Sequence, residues 1–255
     1  RCRRTSDPWG CLLHMKRLND ARILMYSHDT FGLGHLRRCR TIAHALVERF
    51  KGVTVLIISG SQIAGAFDFK ARVDFVKIPS VIKLYSGDYT SISDHIDIGD
   101  TLSMRESLIL RTAELFDPDI FIVDKEPMGL RGEVEKTLVA LQQKNCHTIL
   151  GLRDVMDSPE ALKEEWIKKG ALEKIAALYE EIWIYGPEEF GDPLQGMDVP
   201  GRVREKSRSA CLAELILSTR EIKVSVYCTR FKSKLCASAN FCFAFSLSVN
   251  IDSLR

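Results

Sequence analysis

Apolar residues gather in short, regularly spaced blocks through the middle of the chain. The runs 22-RILMYS-27 and 53-VTVLIIS-59 are branched-aliphatic and end in polar residues, as strands buried on both faces of a parallel sheet do. Between them, 35-HLRRCRTIAHALVERF-50 puts Leu36, Ile42, Ala43, Leu46, Val47 and Phe50 on one helical face with arginines opposite. The three segments predict a βαβ unit, whose crossover is right-handed. A third strand is expected over 73–79. The polar stretch 85-YSGDYTSISDHIDIGD-100 has no clean period and reads as a long loop, a kind of segment that is commonly functional.

The alternation then resumes. A helix over 101–116 leads through Asp117-Pro118-Asp119 into a strand over 120–124. A helix over 133–145, a strand over 147–154, a helical pattern over 159–181 and a strand over 182–186 follow. This order predicts an α/β fold: a Rossmann-like, open, mostly parallel sheet with helices on both faces.

The ends break the pattern. After Gly201 the chain contains neither glycine nor proline, and residues 207–255 are rich in Ser and Cys without a helix or strand period. The expected organisation is a leader outside the domain over 1–14, one domain over 15–205 beginning at Met15, and an atypical tail over 206–255. Both ends read as non-homologous or out-of-frame sequence around a real domain. The alternative is a tail that adds a small β element.

Composition narrows the function classes. Thirty-six basic against 34 acidic residues leave a net charge of +2, so no global field argues for nucleic acid or an acidic membrane surface. No apolar run reaches the ~18–20 residues that span a bilayer. The basic N-terminus lacks the apolar stretch of a signal peptide. A soluble, cytoplasmic protein is the expectation. The eight cysteines form no CxxC pair and have no histidine at zinc-finger spacing, so neither a metal site nor a disulfide framework is expected.

In an open α/β sheet, ligands bind beyond the carboxyl ends of the strands. The residues there are Ser27, His28, Asp29, Gly32, Gly34 and His35 after the first strand. Asp124, Lys125, Glu126, Gly129 and Arg131 follow the fourth, and Arg153, Asp154 and Asp157 follow the fifth. Gly32 and Gly34 let the backbone turn and approach a ligand. The helix starting near His35 offers unpaired N–H groups to a phosphate or carboxylate, and His35 can act as a base or a donor. A tight βα turn with no ligand is the alternative. Arg37 occupies the place of a third glycine, so this is not the dinucleotide fingerprint, and no Walker pattern occurs.

Asp124-Lys125-Glu126 is costly to bury unless paired or working, and an ion-pair cluster with Arg131 or Arg153 is the structural alternative. Arg153-Asp154 carries the same two readings. Arg37, Arg38 and Arg40 can also be a solvated helix face, which is the reading for Arg40. His28 can orient His35 or bind ligand itself. His44 and His147 read as structural, and the role of His95 is open.

Taken together, HDTFGLGHLRRCRTIAHAL, FDPDIFIVDKEPMGLRGEVEKTL and TILGLRDVMDSP resemble bacterial glycosyltransferases of the family 28 type, distant relatives of the N-acetylglucosaminyltransferase that completes lipid II. The resemblance covers roughly residues 20–205. GxGHxxRC is also similar to the UDP-sugar hydrolase of pseudaminic acid synthesis. The resemblance implies a GT-B arrangement, in which an N-terminal Rossmann-like domain holds the acceptor and a C-terminal one grips a nucleotide-sugar donor. Carried over, it makes His35 and Asp124 the catalytic candidates. Gly32, Gly34, His28, Arg37, Glu126, Arg153 and Asp154 become the substrate-binding ones. It implies no metal or other cofactor, a nucleotide sugar and an acceptor as partners, and a donor domain missing after Gly201. Transfer of a sugar to an acceptor hydroxyl is the first function it implies. The alternatives are a nucleotide-sugar hydrolase on the same scaffold and a non-catalytic binding module.

Overall fold

The structure, a computed structural model, describes residues 20–28, 33–153, 166, 170–186, 194 and 199–209. All of them belong to one of the two units into which the chain divides, Arg1–Glu221. Among the described residues there are nine strands: β1 (Arg22–Ser27), β2 (Thr54–Ser59), β3 (Val73–Lys77), β4 (Val81–Lys83), β5 (Tyr89–Ser91), β6 (Ile120–Asp124), β7 (His147–Arg153), β8 (Glu181–Tyr185) and β9 (Ser207–Ser209). The longer helices are α1 (Gly34–Arg49), α2 (Ile98–Phe116), α3 (Glu135–Gln143) and α4 (Ala171–Leu178), and a short α5 spans Gly201–Lys206.

Seven strands form one sheet in the order β3-β2-β1-β6-β7-β8-β9, and every pair in it is parallel. From β1 the chain winds outward to β3, then returns to place β6 on the other side of β1. That reversal is the topological switch point of a doubly wound fold. Tyr26 pairs with Val123 in register, so the residues that follow each of them leave the sheet side by side. The fold class is the expected one, a Rossmann-like open parallel α/β sheet.

Strand residues alternate between two buried layers, as a period of two requires. Ile23, Met25, Val55, Ile57, Ile120 and Ile122 face α1, which presents Leu36, Cys39, Ile42, Ala43, Leu46 and Val47. Leu24, Tyr26, Phe121, Val123, Leu150 and Leu152 share the opposite layer with Ile109 and Ala113 of α2, Leu138 and Leu141 of α3, and Ile175 of α4. Each such aliphatic side chain contributes ~1.5–3 kcal/mol when fully buried, so the layers fix the strand ends, and with them the site.

The stretch expected as a long loop differs. It holds β5, which pairs antiparallel with β4 across a turn where Gly87 has φ +91° and Leu84 N–H donates to Asp88 O at 2.8 Å. Ser91 and Thr101 hydroxyls, 2.6 Å apart and buried, fasten this hairpin to α2. That helix starts at Ile98 because the Asp97 carboxylate accepts from Gly99 N–H at 2.6 Å, an N-cap. Ser207–Ser209, within the segment read as tail, extend the sheet by pairing with β8. Residues 1–19 and 210–255 lie outside the described residues, as does most of the helical pattern before α4. Cys39 and Cys146 are buried free thiols, and the other six cysteines lie outside the described residues. Among the described residues no helix is long and apolar enough to cross a membrane.

Candidate functional site

The first turn of α1 and the end of β6 meet at the switch point. Leu36 and Cys39 anchor α1 in the core, which turns His35 and Arg38, three residues apart and so on one helical face, towards the strand ends. Asp124 closes β6, and its side chain is 1% exposed against 18% for His35 and 15% for Arg38.

His35 Nδ1 lies 2.6 Å from Asp124 Oδ2. Arg38 forks onto the same carboxylate, Nε to Oδ1 and Nη2 to Oδ2, both at 2.8 Å. Arg38 Nη2 also comes within 3.1 Å of His35 Nδ1. An ionised carboxylate only accepts, so Nδ1 carries the hydrogen and donates to Asp124. The approach of Arg38 to Nδ1 is then the convergence of two donors on one oxygen. In the neutral imidazole this leaves the lone pair on Nε2, the arrangement in which a carboxylate-oriented histidine accepts a proton from a substrate.

The charges follow from these contacts. Burial alone would raise the Asp124 carboxyl, but hydrogen bonds from His35 and Arg38 outweigh it and hold the group below the ordinary carboxylate range. Burial works against the Arg38 cation too, and the bonds to Asp124 raise it instead. The Arg38 guanidinium also sits 5.4 Å over the Tyr185 ring of β8. Beyond Asp124 the chain turns sharply: Lys125 has φ 68°, its N–H donates to Gly151 O at 2.8 Å, and Glu126 N–H returns to Asp124 O at 2.9 Å. Left-handed backbone at a lysine costs roughly 1–3 kcal/mol and persists where the surroundings over-determine it.

A second buried cluster adjoins the first. Arg105 of α2 forks onto Glu133, Nε to Oε2 and Nη2 to Oε1, both at 2.6 Å, with side chains 0% and 1% exposed. Arg105 Nη1 donates to Pro79 O, and Tyr26 Oη donates to Glu133 Oε1, each at 2.5 Å. His28 Nδ1 lies 3.5 Å from Tyr26 Oη, and its ring stands edge-on to that of His35 with centroids 5.8 Å apart. Burial first, then the nearby His35 and Lys125, push His28 down to about 3.

Of the sequence candidates, the structure brings together His35, Asp124 and His28. Gly34 opens α1 with free space where a Cβ would stand. Glu126 is half-buried in the turn after Asp124, whereas Arg37 and Arg153 are exposed. Gly32 and Asp154 lie outside the described residues. The partner of Asp124 is Arg38, not Arg131 or Arg153, because α1 lies over the end of β6 while Arg131 is exposed and beside the Tyr89 ring. Arg40 is more than a solvated face, since Nε donates to Asp68 O at 2.6 Å. His44 accepts from Lys70 N–H at 3.2 Å, His147 pairs with Glu180 and Glu181, and His95 is exposed.

No known protein-family profile matches the chain, and no curated protein matches it. Among solved structures it is similar to a glycosyltransferase from Rickettsia africae ESF-5, at 14% identity and TM-score 0.47 over 76% of this chain and 43% of that one. It is similar to Medicago truncatula UGT71G1 complexed with UDP-glucose, at 10% identity and TM-score 0.42 over 68% and 47%. The UDP-GlcNAc 2-epimerase of Methanocaldococcus jannaschii matches at 10% identity and TM-score 0.43 over 78% and 47%. The chain thus spans less than half the length of these structures. Likenesses of this degree carry no activity across to it.

Proposed function

We propose that the described sheet is the acceptor-side domain of a glycosyltransferase with the GT-B arrangement, and that His35 is its base. The observation that carries the reading is the 2.6 Å contact between His35 Nδ1 and the buried Asp124 carboxylate at the switch point. The quoted motifs, which resemble family 28 glycosyltransferases, support it from the sequence. In this mechanism the acceptor O–H gives its proton to His35 Nε2 as its oxygen attacks the anomeric carbon of a nucleotide sugar. The bond from that carbon to the diphosphate breaks, and the nucleoside diphosphate leaves with the electron pair. Asp124 holds the imidazole in the required tautomer and stabilises the imidazolium that forms, and Arg38 keeps Asp124 ionised and in place. A second domain of such an enzyme would hold the donor.

The test is release of UDP from UDP-glucose and UDP-N-acetylglucosamine by the full chain, with and without hydroxylated acceptors. Release that needs an acceptor, and falls by ~10²-fold or more in His35→Gln, is the expected result. Equal release into water would replace the reading with a nucleotide-sugar hydrolase. A folded chain that releases nothing and binds no hydroxylated acceptor would overturn the reading, because acceptor binding is what this domain must show even without a domain that holds the donor.

A further inference from the structure

Tyr26 is fully buried in the middle of the sheet, and its phenol group meets Glu133, Leu130 and His28, with the Arg105 guanidinium close by. Its single hydrogen goes to Glu133 Oε1 at 2.5 Å. Glu133 cannot return one, because it accepts both prongs of the Arg105 fork as a carboxylate. The phenol oxygen retains two lone pairs. Leu130 N–H takes one at 3.3 Å, and His28 Nδ1 faces the oxygen at 3.5 Å.

That geometry fixes the sense of the last contact. With the Tyr26 hydrogen committed elsewhere, a bare Nδ1 would set one lone pair against another in a buried place. Among the described residues His28 has no hydrogen-bond partner other than Tyr26. The favourable arrangement has the hydrogen on Nδ1, donating to Tyr26, and the lone pair on Nε2.

We propose that Tyr26, set by Glu133 and Arg105, is a positioning residue that holds His28 as its Nδ1–H tautomer, so that His28 Nε2 is a fixed hydrogen-bond acceptor beside His35. The ligand group this suits is a donor, such as a second hydroxyl of a polyhydroxylated molecule, and not a phosphate or carboxylate oxygen. His28 and His35 then form a pair in which both imidazoles keep the hydrogen on Nδ1, each through a different buried acid: Asp124 directly for His35, and Glu133 through Tyr26 for His28. Burial keeps His28 uncharged through the neutral range, so the acceptor persists there. The role of the ligand rests on the glycosyltransferase reading, whereas the tautomer does not.

The test is the ¹⁵N–¹H correlation spectrum of the histidine side chains in the full-length protein near neutral pH, where Nδ1–H and Nε2–H tautomers give different patterns. The wild type is expected to show His28 with Nδ1 protonated and Nε2 bare. Tyr26→Phe, which keeps the ring and the Arg105–Glu133 fork, is expected to shift the two His28 resonances towards a mixture of tautomers and leave those of His35 in place. An Nε2–H pattern for wild-type His28, or an unchanged His28 pattern in a folded Tyr26→Phe protein, would overturn the proposal. The wild-type spectrum alone decides if that variant fails to fold. The measurement needs no substrate, so failure of the glycosyltransferase reading, scored by UDP release, would not be mistaken for failure here.

Discussion

Tyr185 of β8 lies against Gly151 of β7 so closely that a Cβ on Gly151 would overlap both Oη and Cζ of the Tyr185 ring. The phenol is buried, and among the described residues its hydroxyl has no hydrogen-bond partner. The ring is held under the Arg38 guanidinium at the edge of the candidate site. Gly151→Ala must therefore move a rigid ring, and we expect it to cost ~1–3 kcal/mol as overpacking. Tyr185→Phe removes the unsatisfied hydroxyl and is expected to be neutral or to stabilise by about 1 kcal/mol. In the Tyr185→Phe background Gly151→Ala should cost less, because the Oη contact is gone, but not nothing, because Cζ remains. Urea unfolding of the four proteins measures this, and strict additivity would mean that the two residues do not meet.

Asp124→Asn and His35→Gln separate orientation from structure. An amide at position 124 would put a donor against either His35 Nδ1–H or the Arg38 fork. His35 is then expected to adopt the other tautomer, with Nε2 protonated and no longer a base. Acceptor-dependent UDP release should fall by ~10²–10⁴-fold. Stability should fall as well, by roughly 3 kcal/mol, because a largely buried guanidinium loses its charge partner. His35→Gln should lose comparable turnover yet only about 1 kcal/mol of stability, since Arg38 and Asp124 stay paired. Equal destabilisation by the two would show that the arginine fork adds little.

Much of this arrangement is legible in the sequence. Buried parallel strands are continuous apolar runs, so β1, β2, β6, β7 and β8 fall within a residue or two of their expected places. His35 and Asp124 stand at two of the predicted strand exits, and strand order brings those exits together. Arg38 is legible in part: three residues after His35 it shares a helical face with it, but with Arg37 and Arg40 beside it the run has the composition of a solvated surface. The β4–β5 hairpin is signalled by Ser86-Gly87-Asp88, a turn sequence, but its three-residue strands are too short to show a period of their own. Nothing local marks the Arg105–Glu133–Tyr26 cluster. Tyr26 looks like one more core residue and Arg105 like a helix surface, and only the packing of α2 over the strand ends puts the charge inside.

That cluster predicts a strong coupling. Glu133→Leu leaves the Arg105 charge buried with no acid beside it, only Pro79 O and the Tyr26 phenol, and Arg105→Met leaves Glu133 with Tyr26 as donor. Each single substitution should destabilise by ~3–5 kcal/mol. The double substitution removes both charges and keeps the space filled, so it should be less harmful than the sum of the singles by at least ~1 kcal/mol. Chemical denaturation of the four proteins tests this, and additive losses would contradict a dry, paired site.

His28 should make stability depend on pH in a definite direction. Its ordinary value of 6.5 is pushed down to about 3 in the folded protein, chiefly by burial and then by the neighbouring His35 and Lys125, with Asp124 pulling the other way. The unfolded chain therefore binds a proton that the folded one refuses between those two values. Stability from this group is complete above pH 6.5 and is lost as pH falls towards 3, at roughly 1.4 kcal/mol per pH unit. Between pH 6.5 and pH 4.5 the loss is about 2 kcal/mol, once the fractional charging near 6.5 is allowed for. Asp124, held below the ordinary carboxylate range, adds a loss of the same sign that sets in at lower pH. His44, pushed down to about 4, acts in the same sense but is more exposed, so His44→Gln serves as the comparison. In urea titrations at pH 6.5 and 4.5, His28→Gln should be less stable than wild type at the higher pH and should close most of that gap at the lower. If the gap stays constant, His28 is charging freely in the folded protein, and its enclosure between Tyr26 and His35 does not hold in solution.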